Sequence, residues 1–163
     1  MKIHEGDSVM HWTHGLGKVV QLEKRSLSGE VILYYAVQIG DMTVWVPADD
    51  MLETRLRLPT RAAEFKKLMG ILSRPGEPLP DDRRERKILL TEWLKDGRTE
   101  SLFRVIRSLT TYRQDHSLNI DEQAILKRSK NALLGEWSCA MSVTPAQAEN
   151  ELYSLLTPNA LGD

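Results

Sequence analysis

The apolar residues of this chain follow one spacing before Pro59 and another after it, and this change limits the folds that the chain can adopt. Between residues 31 and 46, apolar side chains recur at every second position, as they do in a β-strand with one buried face. After Pro59 they recur every three or four positions, as they do on one face of a helix. We therefore predict two domains, a β-rich domain over residues 1–58 and a helical domain over residues 59–163.

Short turns divide the first domain into strands that can close on themselves. Glycines mark turns at residues 13–17, 28–29 and 40–41. Pro47 ends the strand that precedes it, because proline cannot donate to a ladder. Closure of short strands removes the exposed edges of a sheet, so we expect a small SH3/Tudor-like antiparallel β-barrel. The predicted strands cover residues 8–12, 18–27, 31–39, 42–46 and 52–58.

The second domain has the pattern of an all-α bundle of about five helices. Three prolines within residues 74–80 separate the first helix from the second, because proline is excluded from helix interiors. Asn119 and Thr144 open capping-box patterns, which predict the starts of the last two helices. The predicted helices lie around residues 65–72, over 82–95, from 99, over 119–141 and from 145. The expected fold class is α+β, with two domains.

Composition indicates a reducing compartment. Cys139 is the single cysteine, so no disulfide can form within the chain. No run approaches the roughly 20 apolar residues that cross a bilayer, and residues 1–7 lack the pattern of a secretory signal. We expect a cytoplasmic protein that is not associated with a membrane.

No group of residues has the spacing of a catalytic, metal or cofactor site. His11 and His14 lie three positions apart, but a zinc site needs three or four ligands, and a structural hydrogen bond explains His14 better. Gly15 and Gly17 form too short a loop to hold a phosphate, and no Gly-Lys-Ser/Thr follows them. The acidic pairs at residues 49–50 and 81–82 are better explained by capping than by acid–base catalysis. We therefore predict a protein that is not an enzyme and needs no cofactor or metal.

Positive charge is concentrated in residues 83–113, which carry nine lysines and arginines against four aspartates and glutamates, while the whole chain has a net charge of −1. Arginine suits phosphate binding because its planar guanidinium bonds phosphate through two N–H groups. A DNA-facing patch and an ordinary solvated helix face explain this stretch about equally well. The candidate DNA-binding residues are Arg83, Arg84, Arg86 and Lys87 on the second helix, and Arg104 and Arg107 on the third, opposite its apolar face.

Arg25 and Trp45 are candidates for contact with a protein partner. Trp45 lies between Val44 and Val46, so it points away from the core if those two valines point towards it. An outward tryptophan on a small barrel is a frequent anchor of protein interfaces. Packing under the loops or against the helical domain would explain Trp45 equally well.

Several short segments, taken in order, resemble a known family from end to end. They are residues 6–7 (GD), 14–19 (HGLGKV), 25–29 (RSLSG), 34–35 (YY), 44–47 (VWVP), 78–80 (PLP), 96–97 (DG) and 133–136 (LLGE). With them the chain resembles the CarD/CdnL family of bacterial RNA polymerase-binding transcription regulators. Its first domain is similar to the polymerase-interacting domain of transcription-repair coupling factors.

The resemblance implies a function for each domain. Residues 1–58 would bind the RNA polymerase β subunit, through Arg25 and Trp45 and partly by adding a strand at a sheet edge. The helical domain would contact promoter DNA beside the melting bubble, at the minor groove or backbone and largely without reading sequence, and so stabilise the open complex. The alternative is a polymerase-tethered adaptor that joins proteins without binding DNA. We expect a monomer in either case.

Three positions differ from the family pattern, Arg83, Glu85 and Trp45, and Glu85 replaces what is often a small or basic residue. In the family, a tryptophan near the start of the second helix wedges into the minor groove, and an alignment without gaps from Pro78 to Gly97 places Arg83 there. Arginine can enter a narrow groove or hold phosphate, but it cannot unstack a base step as an apolar wedge does. Trp45 stands where some members carry an arginine for the polymerase contact, whereas Arg25 is retained.

Overall fold

A computed structural model describes residues 2–157, and the chain divides into two compact units, Met1–Pro59 and Thr60–Asp163. The first unit contains a five-stranded antiparallel sheet, and the second contains helices. The α+β fold class predicted from the spacing of apolar residues is therefore confirmed.

The sheet of the first unit is built from neighbouring antiparallel strands in the order β4-β3-β2-β1-β5. Ser28 and Gly29 both adopt positive φ angles, 53° and 83°, at the tight turn between β2 and β3. Such φ angles match the turn to the twist of the two strands. The elements are β1 (Ser8–His11), β2 (Gly15–Leu27), β3 (Glu30–Ile39), β4 (Met42–Pro47), the short helix α1 (Leu52–Arg55) and β5 (Leu56–Arg57).

The predicted barrel is not confirmed, because the strand order leaves β4 and β5 as the two ends of an open sheet, and no ladder joins them among the described residues. The strand predicted over residues 52–58 is wrong in its first half, which forms α1. Asp49 explains this turn: its side chain accepts a hydrogen bond from Met51 N at 2.9 Å, and its carbonyl accepts one from Leu52 N at 3.1 Å. These local bonds start a helical turn and override the strand propensity of the segment.

The core of the first unit lies on the inner face of the sheet. Tyr35 and Val37 on β3 face it together with Val46 on β4, as the alternation predicts. Gly17 on β2 allows β3 to approach closely, because a Cβ atom there would lie 2.6 Å from Ile39 Cγ1 and 2.9 Å from Gln38 O. The buried members are Ile3, Val9, Val19, Tyr35, Val37, Val46 and Leu56.

The second unit buries one aromatic cluster between its helices. The Phe65 ring lies edge-on to Phe103 and Trp137, with centroid distances of 5.3 and 5.4 Å. Among the described residues, no helix has both the length and the apolar character that spanning a bilayer requires. The elements are α2 (Ala62–Met69), a 3₁₀ turn (Gly70–Ser73), α3 (Arg83–Leu94), α4 (Thr99–Arg113), α5 (Ile120–Met141) and α6 (Pro145–Leu156).

Both predicted capping boxes are present. The Asn119 side chain accepts a hydrogen bond from Glu122 N at 2.8 Å, and the Glu122 side chain accepts one from Asn119 N at 3.0 Å. Thr144 and Gln147 make the same reciprocal pair at the start of α6. Each box satisfies backbone N–H groups that would otherwise lack partners, so the starts of α5 and α6 are fixed by sequence.

Candidate functional site

Trp45 lies on the outer face of the first unit's sheet, as the alternation of β4 predicts. Val46 beside it is 2% exposed within the core, while Trp45 is half-buried and lies opposite Ala36 of β3. Ala36 is 1% exposed. The indole therefore rests on a small residue of the neighbouring strand and keeps part of its surface in solvent.

Arg25 reaches over the sheet to the same indole. Its guanidinium carbon lies 4.2 Å from the Trp45 ring centroid, the geometry of a cation–π contact. Its Nη2 lies 3.7 Å from Glu23 Oε2, a partly exposed ion pair. The structure thus brings together the two residues predicted for protein contact, and we call Arg25 and Trp45 the Trp45 platform. The pair is held in place before any partner arrives.

Three of the six predicted DNA-binding residues are exposed on α3. Arg83, Arg84 and Lys87 lie in its first turns, and the Lys87 ammonium lies 3.3 Å from Asp121 Oδ2 in an exposed ion pair. The helix begins with a cap from Asp82, whose side chain accepts a hydrogen bond from Glu85 N at 3.0 Å. The two arginines of the first turn, Arg83 and Arg84, are exposed to solvent.

Arg86 lies inside the second unit, which corrects the expectation of a surface position. Its Nε donates to Glu122 Oε2 at 2.6 Å, and its Nη1 donates to Asp81 O at 2.7 Å. The guanidinium also lies 4.9 Å from the Tyr112 ring centroid. The Glu122 hydrogen bond raises the pKa of Arg86 above its ordinary value. Arg86 therefore fastens α3 and the preceding loop to α5.

Arg107 is also buried, so its predicted position opposite the apolar face of α4 is wrong. Its Nη1 donates to Leu72 O at 3.2 Å, whereas its Nε has no hydrogen-bond partner among the described residues. Burial lowers the pKa of the guanidinium from its ordinary value. The prediction failed because α4 is the central helix and packs against α2, α3, α5 and the 3₁₀ turn, so it has more than one buried face.

Arg104 is half-buried and its charge is already paired. Its Nε and Nη2 donate to the two carboxylate oxygens of Glu77 at 2.8 and 3.0 Å. The guanidinium stacks on Trp93 at 4.3 Å from the ring centroid. Hydrogen bonding from Arg104 lowers the pKa of Glu77 below its ordinary value. An outside phosphate would have to displace Glu77 to bind this arginine in the same way.

The sequence did not reveal the role of His11. This side chain is buried, and its Nδ1 accepts hydrogen bonds from Thr13 N at 3.1 Å and His14 N at 3.2 Å. His14 thus takes part in a structural hydrogen bond through its backbone. Burial, with a smaller contribution from His14, lowers the pKa of His11 to about 4. Among residues 2–157, no group of three or more His, Cys, Asp or Glu side chains is arranged to hold a metal ion.

The buried carboxylate of Glu136 is a second group whose role could not be predicted from the sequence. Glu136 is fully buried and accepts hydrogen bonds from Thr60 N at 2.8 Å and Thr99 Oγ1 at 2.9 Å. It follows Gly135 within a helix whose apolar pattern continues on both sides, so the spacing alone gave no signal of its role. In the sequence, Glu136 was marked only by the resemblance of segment 133–136 to the family.

Comparison with known proteins follows the division into two units. Residues 3–58 match the family described as the CarD-like/TRCF RID domain, and residues 67–153 match the one described as CarD, C-terminal domain. The chain is also 24% identical over 147 residues to the Bacillus subtilis (strain 168) protein named "Putative transcription factor YdeB". That alignment covers 89% of this chain and 96% of YdeB.

Proposed function

The chain belongs to the CarD family, and from this premise we propose that it is a non-catalytic bacterial transcription regulator that binds the RNA polymerase β subunit and contacts promoter DNA. The single observation that carries the proposal is the match of both units, in order, to the two CarD domain families. Regulation of transcription is what the family is known for. The protein would act in the cytoplasm, where bacterial polymerase works, and as a monomer.

The Trp45 platform supports the polymerase contact. Tryptophan and arginine are among the residues that most often dominate the binding energy of protein interfaces. Because the Arg25 guanidinium already stacks on the Trp45 indole, little side-chain freedom is lost on binding. The strand β4 that carries Trp45 is an edge of the sheet, so its backbone can pair with a strand of the β subunit.

The DNA contact that we propose is narrower than the one expected from sequence. Arg83, Arg84 and Lys87 form it, because they are exposed on the first turns of α3. Arg86 and Arg107 are buried, and Arg104 is half-buried and held by two hydrogen bonds to Glu77, so we leave these three out. Lys87 is kept because its single ion pair with Asp121 is exposed to solvent. Contacts of this kind with phosphates bind largely without regard to sequence and would stabilise the open complex.

Binding of the purified β subunit to the full-length chain tests the polymerase contact. We expect Trp45→Ala and Arg25→Ala each to weaken the complex about tenfold or more, the cost of about 1.4 kcal/mol at an interface anchor. Trp12→Ala is the matched control, since Trp12 is a tryptophan of the same unit, 63% exposed and outside the Trp45 platform. Absence of binding by the unaltered chain, or equal loss in the Trp12 variant, would refute the proposal.

A second candidate is the adaptor without direct DNA binding. It is favoured by the finding that Arg86, Arg104 and Arg107, half of the predicted basic set, are engaged within the second unit. An adaptor would bind the β subunit and would show no salt-dependent affinity for promoter fragments. The two candidates therefore separate on a DNA-binding titration at two salt concentrations.

A further inference from the structure

A cavity of about 320 Å³ opens in the second unit between the turn at residues 74–77 and helix α4. This volume is that of a small-molecule site. Its polar lining residues are Arg74, Glu77, Glu100, Arg104, Arg107 and Ser108.

The cavity wall offers hydrogen-bond donors that lack acceptors. Arg107 is 9% exposed, and its Nε has no partner among the described residues. Ser108 is 1% exposed, and its Oγ accepts from Glu77 N at 3.1 Å, which leaves the hydroxyl hydrogen to donate. Arg107 Nε is itself out of reach of solvent, so a ligand in the cavity would meet this guanidinium only through the small part of Arg107 that stays exposed.

The charges that line the cavity also favour an anion. Arg104 and Glu77 neutralise each other through their two hydrogen bonds. Arg107 forms no ion pair with a carboxylate of the described residues, and burial alone lowers its pKa. Arg74 and Glu100 are exposed and lie at the rim. Arg107 therefore carries a largely buried charge without a carboxylate partner among the described residues, and such a charge attracts an anion.

We propose that this cavity binds a small phosphate-bearing molecule whose oxyanion pairs with the Arg107 guanidinium and accepts a hydrogen bond from Ser108. The planar fork of arginine fits a phosphate, and a free small molecule fits the concave shape and the volume. A phosphate of duplex DNA lies on a convex cylinder and cannot reach a guanidinium that is nine-tenths buried. The cavity shares no residue with the Trp45 platform or with the exposed arginines of α3, so this proposal does not depend on the proposed function.

Thermal unfolding of the full-length chain with inorganic phosphate tests the proposal. We expect phosphate to raise the melting temperature by a few degrees in a saturable manner, beyond the effect of sodium chloride at equal ionic strength. Arg107→Met should abolish this rise, because it keeps the apolar stem and removes the charge. Arg128→Met is the matched control, since Arg128 is exposed on α5 outside the cavity, and it should respond as the unaltered chain does.

A second measurement does not depend on how well the variants fold. In the unaltered protein, phosphate should shift the backbone amide signals of Gly76 and Ser108 in an NMR titration, with one dissociation constant. The proposal is overturned by shifts spread over exposed lysines and arginines, by no saturable shift, or by an Arg107→Met variant that folds and still responds. Competition by a short DNA duplex, with no response to free phosphate, would also overturn it.

Discussion

Arg86 and Glu122 form a buried ion pair across the second unit, with Nε and Oε2 separated by 2.6 Å and side chains 8% and 1% exposed. Glu122 is also the third residue of helix α5 and belongs to its capping box, in which Glu122 Oε1 accepts a hydrogen bond from Asn119 N at 3.0 Å. One carboxylate thus caps α5 and neutralises the arginine that fastens α3 to it. Loss of either partner would leave an uncompensated charge in the interior.

Removing the charge of Glu122 should destabilise the protein strongly. We expect Glu122→Gln to lower the free energy of unfolding by about 3–5 kcal/mol, because Arg86 is left buried without a counter-ion. The amide oxygen of the glutamine can still accept the capping bond, so Glu122→Ala should cost about 1 kcal/mol more. Urea unfolding measures both. In a double-mutant cycle, Arg86→Met with Glu122→Leu should cost less than the sum of the single changes, and simple additivity would contradict the pairing.

Gly76 should not tolerate a side chain. A Cβ atom there would collide with Ser108 Cα and would lie 2.7 Å from Arg107 O, and both of these are backbone atoms of α4. We expect Gly76→Ala to lower the free energy of unfolding by about 1–3 kcal/mol, as overpacking does. Gly70→Ala is the control: a Cβ atom there would meet no atom within 4 Å and the φ of Gly70 is −59°, so the change should be neutral or slightly stabilising. Similar losses in both variants would contradict the close approach.

Acidification should weaken the first unit through His11. The pKa of His11 is about 4 in the folded chain against an ordinary value of 6.5, so the unfolded chain binds the proton more tightly. The contribution of neutral His11 to stability is therefore complete above about pH 6.5 and is lost as the pH falls towards 4. Over this interval the free energy of unfolding should fall by on the order of 1–3 kcal/mol from this group.

The His11 effect can be separated from other titrations. The comparison variant is His11→Asn, whose side-chain oxygen can accept the same backbone bonds without titrating. Its urea unfolding, followed at amide signals of the first unit, should depend less on pH than that of the unaltered chain. An imidazole titration of His11 by NMR with a midpoint near the ordinary value would contradict the shifted pKa.

Reversing charge on the first turn of α3 should weaken promoter binding. Each phosphate contact contributes about 0.9 to the slope of log affinity against log salt, so Arg83→Glu with Arg84→Glu should reduce that slope by about 2. Lys127→Glu with Arg128→Glu makes the same change in net charge at exposed positions of α5 and serves as the control. Fluorescence anisotropy of a labelled promoter fragment at two salt concentrations measures both. Equal weakening in the two double variants would indicate only a net-charge effect.

The sequence predicted the features that depend on one element at a time. The outward direction of Trp45 follows from the two-residue period of β4, and the capping boxes at Asn119 and Thr144 follow from local hydrogen bonds. The stacking of Arg25 on Trp45 could not be predicted from strand period or from local hydrogen bonds. The two residues lie on β2 and β4, which are separated by β3 in the sheet.

The failures arise where several elements meet. Arg86 and Arg107 look like surface residues on isolated helices, but α5 supplies a carboxylate for one and the 3₁₀ turn supplies a carbonyl for the other. The strand predicted from residue 52 does not form in its first half, because the turn that Asp49 stabilises starts a short helix there. The spacing of apolar residues indicates only one buried face of a helix. It therefore cannot identify a central helix such as α4, which has several buried faces.

The bond from Thr60 N to Glu136 Oε2 has a practical consequence for dissecting the protein. This bond joins Thr60, the first residue of the second unit, to Glu136 inside helix α5. The backbone N–H of Thr60 is therefore part of the packed structure of that unit. A fragment that begins at Ala62, the first residue of α2, would lack this donor and would leave a buried carboxylate with one partner fewer. A truncated second unit should therefore retain Pro59 and Thr60, and melting curves of the two fragments would register the difference.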